Sequence, residues 1–421
     1  MFTIDGKYSS ATVMTDNADA SVISQIYEML NSPAINNPVV IMPDTHAGKG
    51  SVIGFTMRLG DKVIPNTIGV DIGCGMLTAS VGRQELNPMA TDLAIRKIVP
   101  TGFNIHKHAP ITLDELNVTT YGKRLKLHRE LDVPFDGYET IFKRVGIDIS
   151  YALRSIGTLG GGNHFIELGS NNEGRTLITI HTGSRNFGLR TCNYHQDQAA
   201  SFDAFYPALE RAAKIADLKA QHERGEISGY ELGQRIVALK KRTRPEGVAK
   251  GLEYLEGAPL NQYLYDMYAA QEYAHINRTY ILDSICAALR IPKELTIESV
   301  HNYIDPNDKI IRKGAIQAKL GQMVIIPISR TYGTIIGTGR GNILWNNSAP
   351  HGAGRVMSRT KAKELVTDTD AREHMEAAGV YSSFDPPDED DLAYRTGAEI
   401  ESLISPTVIS LFTIKPFLSI K

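Results

Sequence analysis

Five side chains in this sequence share one kind of chemistry. Asp71 and Cys74 lie in the stretch TIGVDIGCGM (67–76), His164 in LGGGNHFIEL, His181 in ITIHTGSRNFG and His301 in ESVHNYID. A carboxylate, a thiolate and three imidazoles form a donor set for divalent metal, without the paired-cysteine spacing of a structural zinc site. Taken singly, each histidine also fits a satisfied core or loop position. Taken together, three of the five lie among glycines or at strand ends, and the set points to a catalytic metal centre. The frame of Gly69, Gly73 and Gly75 around Asp71 and Cys74 predicts unusual dihedrals or close backbone approach, because glycine packs nothing and loses the most backbone entropy on folding. A thiolate can bridge two ions, and ions roughly 3.5–4 Å apart suit reactions that move charge between phosphate oxygens. On raw affinity a Cys/His site takes zinc or copper ahead of manganese, so the residues leave the metal open.

A second chemistry is written in APHGAGRVMSRTKAK (349–363), where His351 sits in a glycine-rich turn with Arg355 and Arg359 downstream. A neutral imidazole can attack phosphorus to give a phosphoramidate. The two guanidinium forks suit bidentate phosphate recognition. The plainer alternative is a turn histidine at the start of a helix.

Strand-like apolar runs must position these groups. PVVIM is followed by Asp44 and His46, TIGV by Asp71 and Cys74, TLITI by His181, TIESV by His301, and MVIIP by Ser329 and Arg330. Functional groups gather on loops held by a rigid scaffold, so these ends are expected to converge on one cleft. The amino-terminal half reads as short strands punctuated by Gly and Pro, and 201–289 reads as a helical insertion or subdomain. A helix is expected after Ser358, and the acidic DPPDEDD (385–391) is expected to be a solvated loop.

Across 421 residues, 42% hydrophobic and 22% charged is the composition of an ordinary globular protein. No run approaches the roughly 18 apolar residues of a membrane span, and a cytoplasmic protein is expected. A net charge of −2 does not advertise nucleic-acid binding. The basic stretches 123–130, 240–244 and 358–363 are read singly as solvated faces. Cys192 and Cys286 are read as small buried hydrophobes with no disulfide framework.

The pieces MPDTHAGKGSVIG, GVDIGCGM, GTLGGGNHFIELG, HTGSRNFG, SVHNYID, RKGAI, HGAGRVMSRTKAK and a carboxy-terminal lysine run in order over nearly the whole chain. In this the sequence resembles one family, the RtcB-type RNA ligases. The resemblance implies an α/β (α+β) fold with a sheet-rich core, forming a single catalytic domain over 1–421. It implies GTP and two Mn2+ as cofactors, and RNA with 3′-phosphate or 2′,3′-cyclic-phosphate ends and 5′-hydroxyl ends as partner. A monomer or weak oligomer is expected. His351 would take GMP from GTP, with Asp44 the acidic residue needed for that transfer. Asp71, Cys74, His164, His181 and His301 would hold metal, with Cys74 shared. Asn163, Phe165, Glu167, Asn302, Gly352, Ala353, Gly354 and Lys421 would hold the nucleotide, Glu167 as acceptor for guanine N–H donors. Arg185, Lys313, Arg355 and Arg359 would meet RNA or nucleotide phosphates.

One loop departs from the family pattern. Where the family reads Pro-Gly-Ser-Met-Gly, this chain has PISRTYGT (327–334), which places Ile328 and Arg330 in a loop bordering the nucleotide with Pro327, Ser329 and Thr334. Arg330 is expected to bind phosphate or to point to solvent. Two other functions stay open: a metal-dependent phosphoesterase or nucleotidase without the covalent step, and a non-catalytic RNA-binding paralogue, favoured if this loop closes the pocket.

Overall fold

The computed structural model describes residues 1–201, 208–240 and 248–421, so 241–244 of the basic stretch 240–244 lie outside the described residues. Two sheets dominate. The first has six strands in the order Phe2–Asp5, Ser10–Val13, Val39–His46, Ile53–Arg58, Ile310–Lys313, Asn302–Ile304. The second has seven, in the order Thr296–Val300, Gly75–Ser80, Thr176–Thr182, Phe165–Ser170, Val408–Ile420, Gly333–Gly339, Met323–Ser329. Ser10–Val13 and Val39–His46 pair in parallel, while the ladders of the second sheet are antiparallel. The central strands Thr176–Thr182 and Phe165–Ser170 are mostly buried, consistent with the continuous apolar runs that marked them. This is the expected α/β, sheet-rich architecture.

The helical stretch 201–289 divides in two. Ala208–Glu223 and Gly229–Lys240 pack on each other, whereas Gly257–Leu289 runs through the core with Tyr263, Met267, Tyr273, Ile281 and Ile285 fully buried. Pro259 falls in the first turn of that helix, where its missing N–H costs nothing, and Arg290 closes it in the left-handed region. Its hidden polar residues serve the site. Arg278 donates to the carbonyls of Gly73 (2.8 Å) and Thr182 (2.7 Å) and pairs with Glu298 at 2.8 Å. Asn277 accepts from the Gly157 N–H and donates to the Gly183 carbonyl.

The amino-terminal half also carries helices that its strand-like texture concealed: Pro88–Ile98, Leu113–Leu131, Tyr138–Val145 and Ile149–Ser155. Leu113–Leu131 opens on a reciprocal capping box between Thr112 and Glu115. It contains the basic stretch 123–130, which is not wholly a solvated face. Arg124 is buried, with its guanidinium 4.7 Å from the Tyr138 ring centre.

Candidate metal and nucleotide site

Strand register assembles the donor cluster. Cys74 immediately precedes Gly75–Ser80, His181 lies near the end of Thr176–Thr182 opposite both Met76 and Phe165, His164 precedes Phe165–Ser170, and Val300, paired with Gly75, leads into His301. Four neighbouring strands thus present their donors at one edge of the second sheet. The glycine frame does what its spacing predicted. Gly73 has φ +72, and a Cβ there would stand 2.8 Å from the Gln271 Cα; a Cβ on Gly75 would meet the Ser299 carbonyl at 2.6 Å.

Cys74 Sγ lies 3.3 Å from His181 Nε2 and 3.6 Å from His164 Nε2. His164 Nε2 stands 3.0 Å from an Asp71 carboxylate oxygen, and His181 and His301 face each other through Nε2 atoms 3.4 Å apart. Two groups of three, Cys74–His181–His301 and Asp71–Cys74–His164, each gather their donor atoms within 4.8 Å and share the thiol. Burial, reinforced by neighbouring imidazoles, holds His181 and His301 well below the ordinary histidine range, so both are neutral donors near pH 7. Burial would raise the Asp71 carboxyl, but His164 beside it holds it low. Burial and the Asp71 charge push the Cys74 thiol up. The buried Nδ1 atoms of His181 and His301 lack partners. Converging lone pairs with little positive charge among them are a donor set that fits divalent cations.

Beside this cluster lies His351. Its ring centre is 4.9 Å from that of His301, and its Nδ1 is 2.8 Å from Oδ2 of the fully buried Asp44, two residues before the end of the strand Val39–His46 of the first sheet. With Nδ1–H donating to Asp44, the Nε2 lone pair is left available. His351 borders a cavity of about 320 Å³ that Asn163, Phe165, Glu167, Pro327, Ile328, Ser329, Arg330, Gly352, Ala353, Gly354, Arg355, Arg359 and Lys421 also line. The 327–330 segment therefore walls this cavity and does not fill it. Glu389, Tyr394 and Ser419 line it too, and were not read as site residues, whereas His46 lines it as one of the strand-end groups expected at the cleft. Those three carry no local signal.

Four expected contacts lie outside this wall. Lys313 donates to the carbonyls of Lys49, Ser51 and Asn66 at 2.5–3.2 Å, and burial lowers its pKa to about 8. It ties the chain together in place of meeting phosphate. Asn302 is engaged with the Asp71 carbonyl and the Gly314 N–H. Thr334 is buried and donates to Glu167 at 3.1 Å, so it stands behind the pocket. Arg185 donates to Thr158 Oγ1 and the Gly102 carbonyl.

The acidic stretch 385–391 corrects a second expectation, because it is not a solvated loop. Asp388, Glu389 and Asp390 are buried. Glu389 meets Lys421 and Arg359 at 2.8 Å each and Arg355 at 3.5 Å, while Asp388 meets Arg359 at 2.7 Å. The expected helix after Ser358 forms over Arg359–Leu365, capped by the Ser358 hydroxyl. The basic stretch 358–363 that begins it is drawn onto these carboxylates.

The family model described as tRNA-splicing ligase RtcB matches residues 25–395. The chain belongs to the RtcB family. It is 28% identical to the RNA-splicing ligase RtcB of Escherichia coli K12, an alignment covering 96% of this chain and 94% of that protein. It is 25% identical to the tRNA-splicing ligase RtcB of Archaeoglobus fulgidus over 86% of this chain and 82% of that one. The RNA-splicing ligase RtcB homolog 2 of Entamoeba dispar is 25% identical, with coverages of 96% and 84%.

Within this RtcB-family site, Arg330 does not point to solvent, one of the two places expected for it. It is buried against Asp385 at 2.9 Å and donates to Ser419, Ser382 and the Phe384 carbonyl. Arg330→Met is therefore expected to strand the buried Asp385 carboxylate and lower stability by about 3–5 kcal/mol. Denaturant unfolding of Arg330→Met and of Arg330→Met/Asp385→Asn checks this, with partial recovery expected in the double variant. Equal stability of wild type and Arg330→Met would contradict it.

Among the described residues, no helix is long and apolar enough to cross a membrane.

Proposed function

We propose that this protein joins RNA ends with 3′-phosphate or 2′,3′-cyclic phosphate to 5′-hydroxyl ends, using GTP and Mn2+, through a GMP carried on His351. The observation that supports this most is the Asp44–His351 pair opening into a cavity beside a two-part donor cluster. His351 Nε2 attacks the α-phosphorus of GTP, and the bond to pyrophosphate breaks. Asp44 holds the Nδ1 proton and stabilises the charge that develops on the imidazole. A cyclic phosphate is first opened by water to a 3′-phosphate. An oxygen of the 3′-phosphate then takes GMP from His351, and the 5′-hydroxyl attacks the activated 3′ phosphorus and expels GMP. Asp71, Cys74, His164, His181 and His301 would hold the metal, which supplies charge neutralisation on phosphate oxygens when bound.

Glu167 would accept from guanine N–H donors, with Phe165 as an apolar wall. Burial raises the Glu167 carboxyl to about 8, against the opposing pull of the Thr334 hydroxyl and Arg330. The free protein thus holds a proton there at neutral pH, while guanine requires the carboxylate. GTP affinity is expected to rise with pH, by up to about tenfold per unit below pH 8, and to flatten above it. Glu167→Gln should remove this slope. Calorimetric GTP titrations between pH 6 and 9 measure it, and a flat wild-type profile would contradict the assignment.

Ligation of two labelled RNA strands, one ending in 3′-phosphate and the other beginning with 5′-hydroxyl, tests the activity. A joined product that needs both GTP and manganese is expected. Release of inorganic phosphate without joining would instead indicate a phosphoesterase.

A further inference from the structure

A second cavity of about 330 Å³ lies beyond the first, and Arg359, Glu389 and Lys421 line both. The far side of the second cavity is built from the glycine turn Gly160–Gly162 and the turn Thr101–Gly102, with His164 of the donor cluster in its wall. Three cations face it, Arg96, Arg359 and Lys421, together with the carboxylates of Asp388 and Glu389, which pair with the last two. Arg96 pairs with Asp92 at 2.9 Å and donates Nη1 to the Lys421 carbonyl, but its Nη2 is buried with no partner. That leaves one guanidinium donor unsatisfied at a cavity whose other polar walls include backbone.

Two exposed aromatic rings flank this opening. Phe384 lines the cavity and is more than half exposed, and Phe103, next to lining residue Gly102, is fully exposed. A lone exposed phenylalanine needs no explanation. Phe103, however, stands on a fixed turn. The Asn104 N–H donates to the Thr101 carbonyl, the Gly102 N–H donates to the Gly160 carbonyl at 2.7 Å, and Arg185 donates to the Gly102 carbonyl at 3.2 Å. An exposed ring on a fixed turn, beside a cavity where Arg96 keeps one guanidinium donor unpaired, suits single-stranded nucleic acid, with a base on the aromatic face and a phosphate on Arg.

Resting on the function proposed above, we infer that the second cavity holds the unpaired end of the RNA, with a base stacked on Phe103, a neighbouring base against Phe384, and a phosphate on Arg96. Phe103 is a positioning residue for RNA, with no part in the transfer of GMP from GTP. Arg185, which touches no wall of the first cavity, acts here by fixing the turn that carries Phe103.

Fluorescence titration of a single-stranded RNA carrying 2-aminopurine in its terminal nucleotides tests the inference in the full-length protein with manganese. Phe103→Ala is expected to weaken RNA binding at least about fivefold, and Phe103→Trp to restore it, while both variants form the covalent GMP adduct at the wild-type rate. Because Phe103 is fully exposed, its removal leaves the fold intact. Replacing the stacked base with an abasic residue should weaken wild-type binding and leave Phe103→Ala unchanged. Normal adduct formation with RNA affinity indifferent to Phe103 would overturn this inference alone. Phe103-dependent RNA binding without any adduct would keep the RNA site and overturn the guanylylation reading. No binding of RNA by the wild type would overturn both.

Discussion

His351→Ala is expected to abolish RNA joining, by at least about a thousandfold, and to leave the bound metal near the wild-type amount. The loss follows from removing the nucleophile, whose role no neighbour can take over; the nearest imidazole, on His301, is directed at the donor cluster through Nε2. The metal is retained because His351 belongs to neither group of converging donors. Asp44→Asn should leave His351 in place yet reduce joining by a smaller factor, about a hundredfold, since an amide can still meet Nδ1 but cannot balance the charge that forms on the ring. Ligation rates and metal analysis on the purified variants check both. Loss of metal from His351→Ala would make it a ligand, and ligation surviving in it would remove it from the chemistry.

Cys74→Ser is expected to have the second large effect. The thiol belongs to both three-donor groups, so its loss weakens two ion sites at once, and a hydroxyl is a poor anionic bridge near neutral pH. Metal content should fall by most of its wild-type value and joining should vanish. Cys192 and Cys286 are buried away from the donors, so serine at either should leave both readings unchanged. Three variants behaving alike would remove the distinction drawn for Cys74.

The donor end of the second sheet was legible because a short apolar run followed at once by a polar donor is a local pattern: TLITI and TIESV form strands that lead to His181 and His301, whereas TIGV begins in the 3-10 helix Pro65–Thr67 and forms no strand. The glycines of 69–75 were legible as a local cluster, although the backbone they make room for lies far along the chain, at Gln271 for Gly73 and at Ser299 for Gly75. What escaped depended on partners distant in the chain. DPPDEDD looks like a solvated loop until Arg355, Arg359 and Lys421 are brought to it, and no spacing within 385–391 announces them. Lys313 looks like a phosphate ligand until three carbonyls from 49–66 close around it. The helix Gly257–Leu289 was read as part of an insertion because 201–289 shows helical spacing with dense charge, whereas Arg278 and Asn277 turn inward to hold the backbone beside Cys74 and His181, at Gly73, Thr182 and Gly183. The Thr112–Glu115 capping box, by contrast, was a readable signal of the helix Leu113–Leu131 that the strand-like texture of this half overrode.

The covalent step is the centre of the account, and it is measured most directly by incubating the protein with GTP labelled at the α-phosphate and manganese, denaturing it, and mapping the label that remains. A guanylate that is labile to acid, stable to alkali and carried on the peptide containing His351 is the predicted result. No retained label, an alkali-labile label, or a label on any other residue would contradict it.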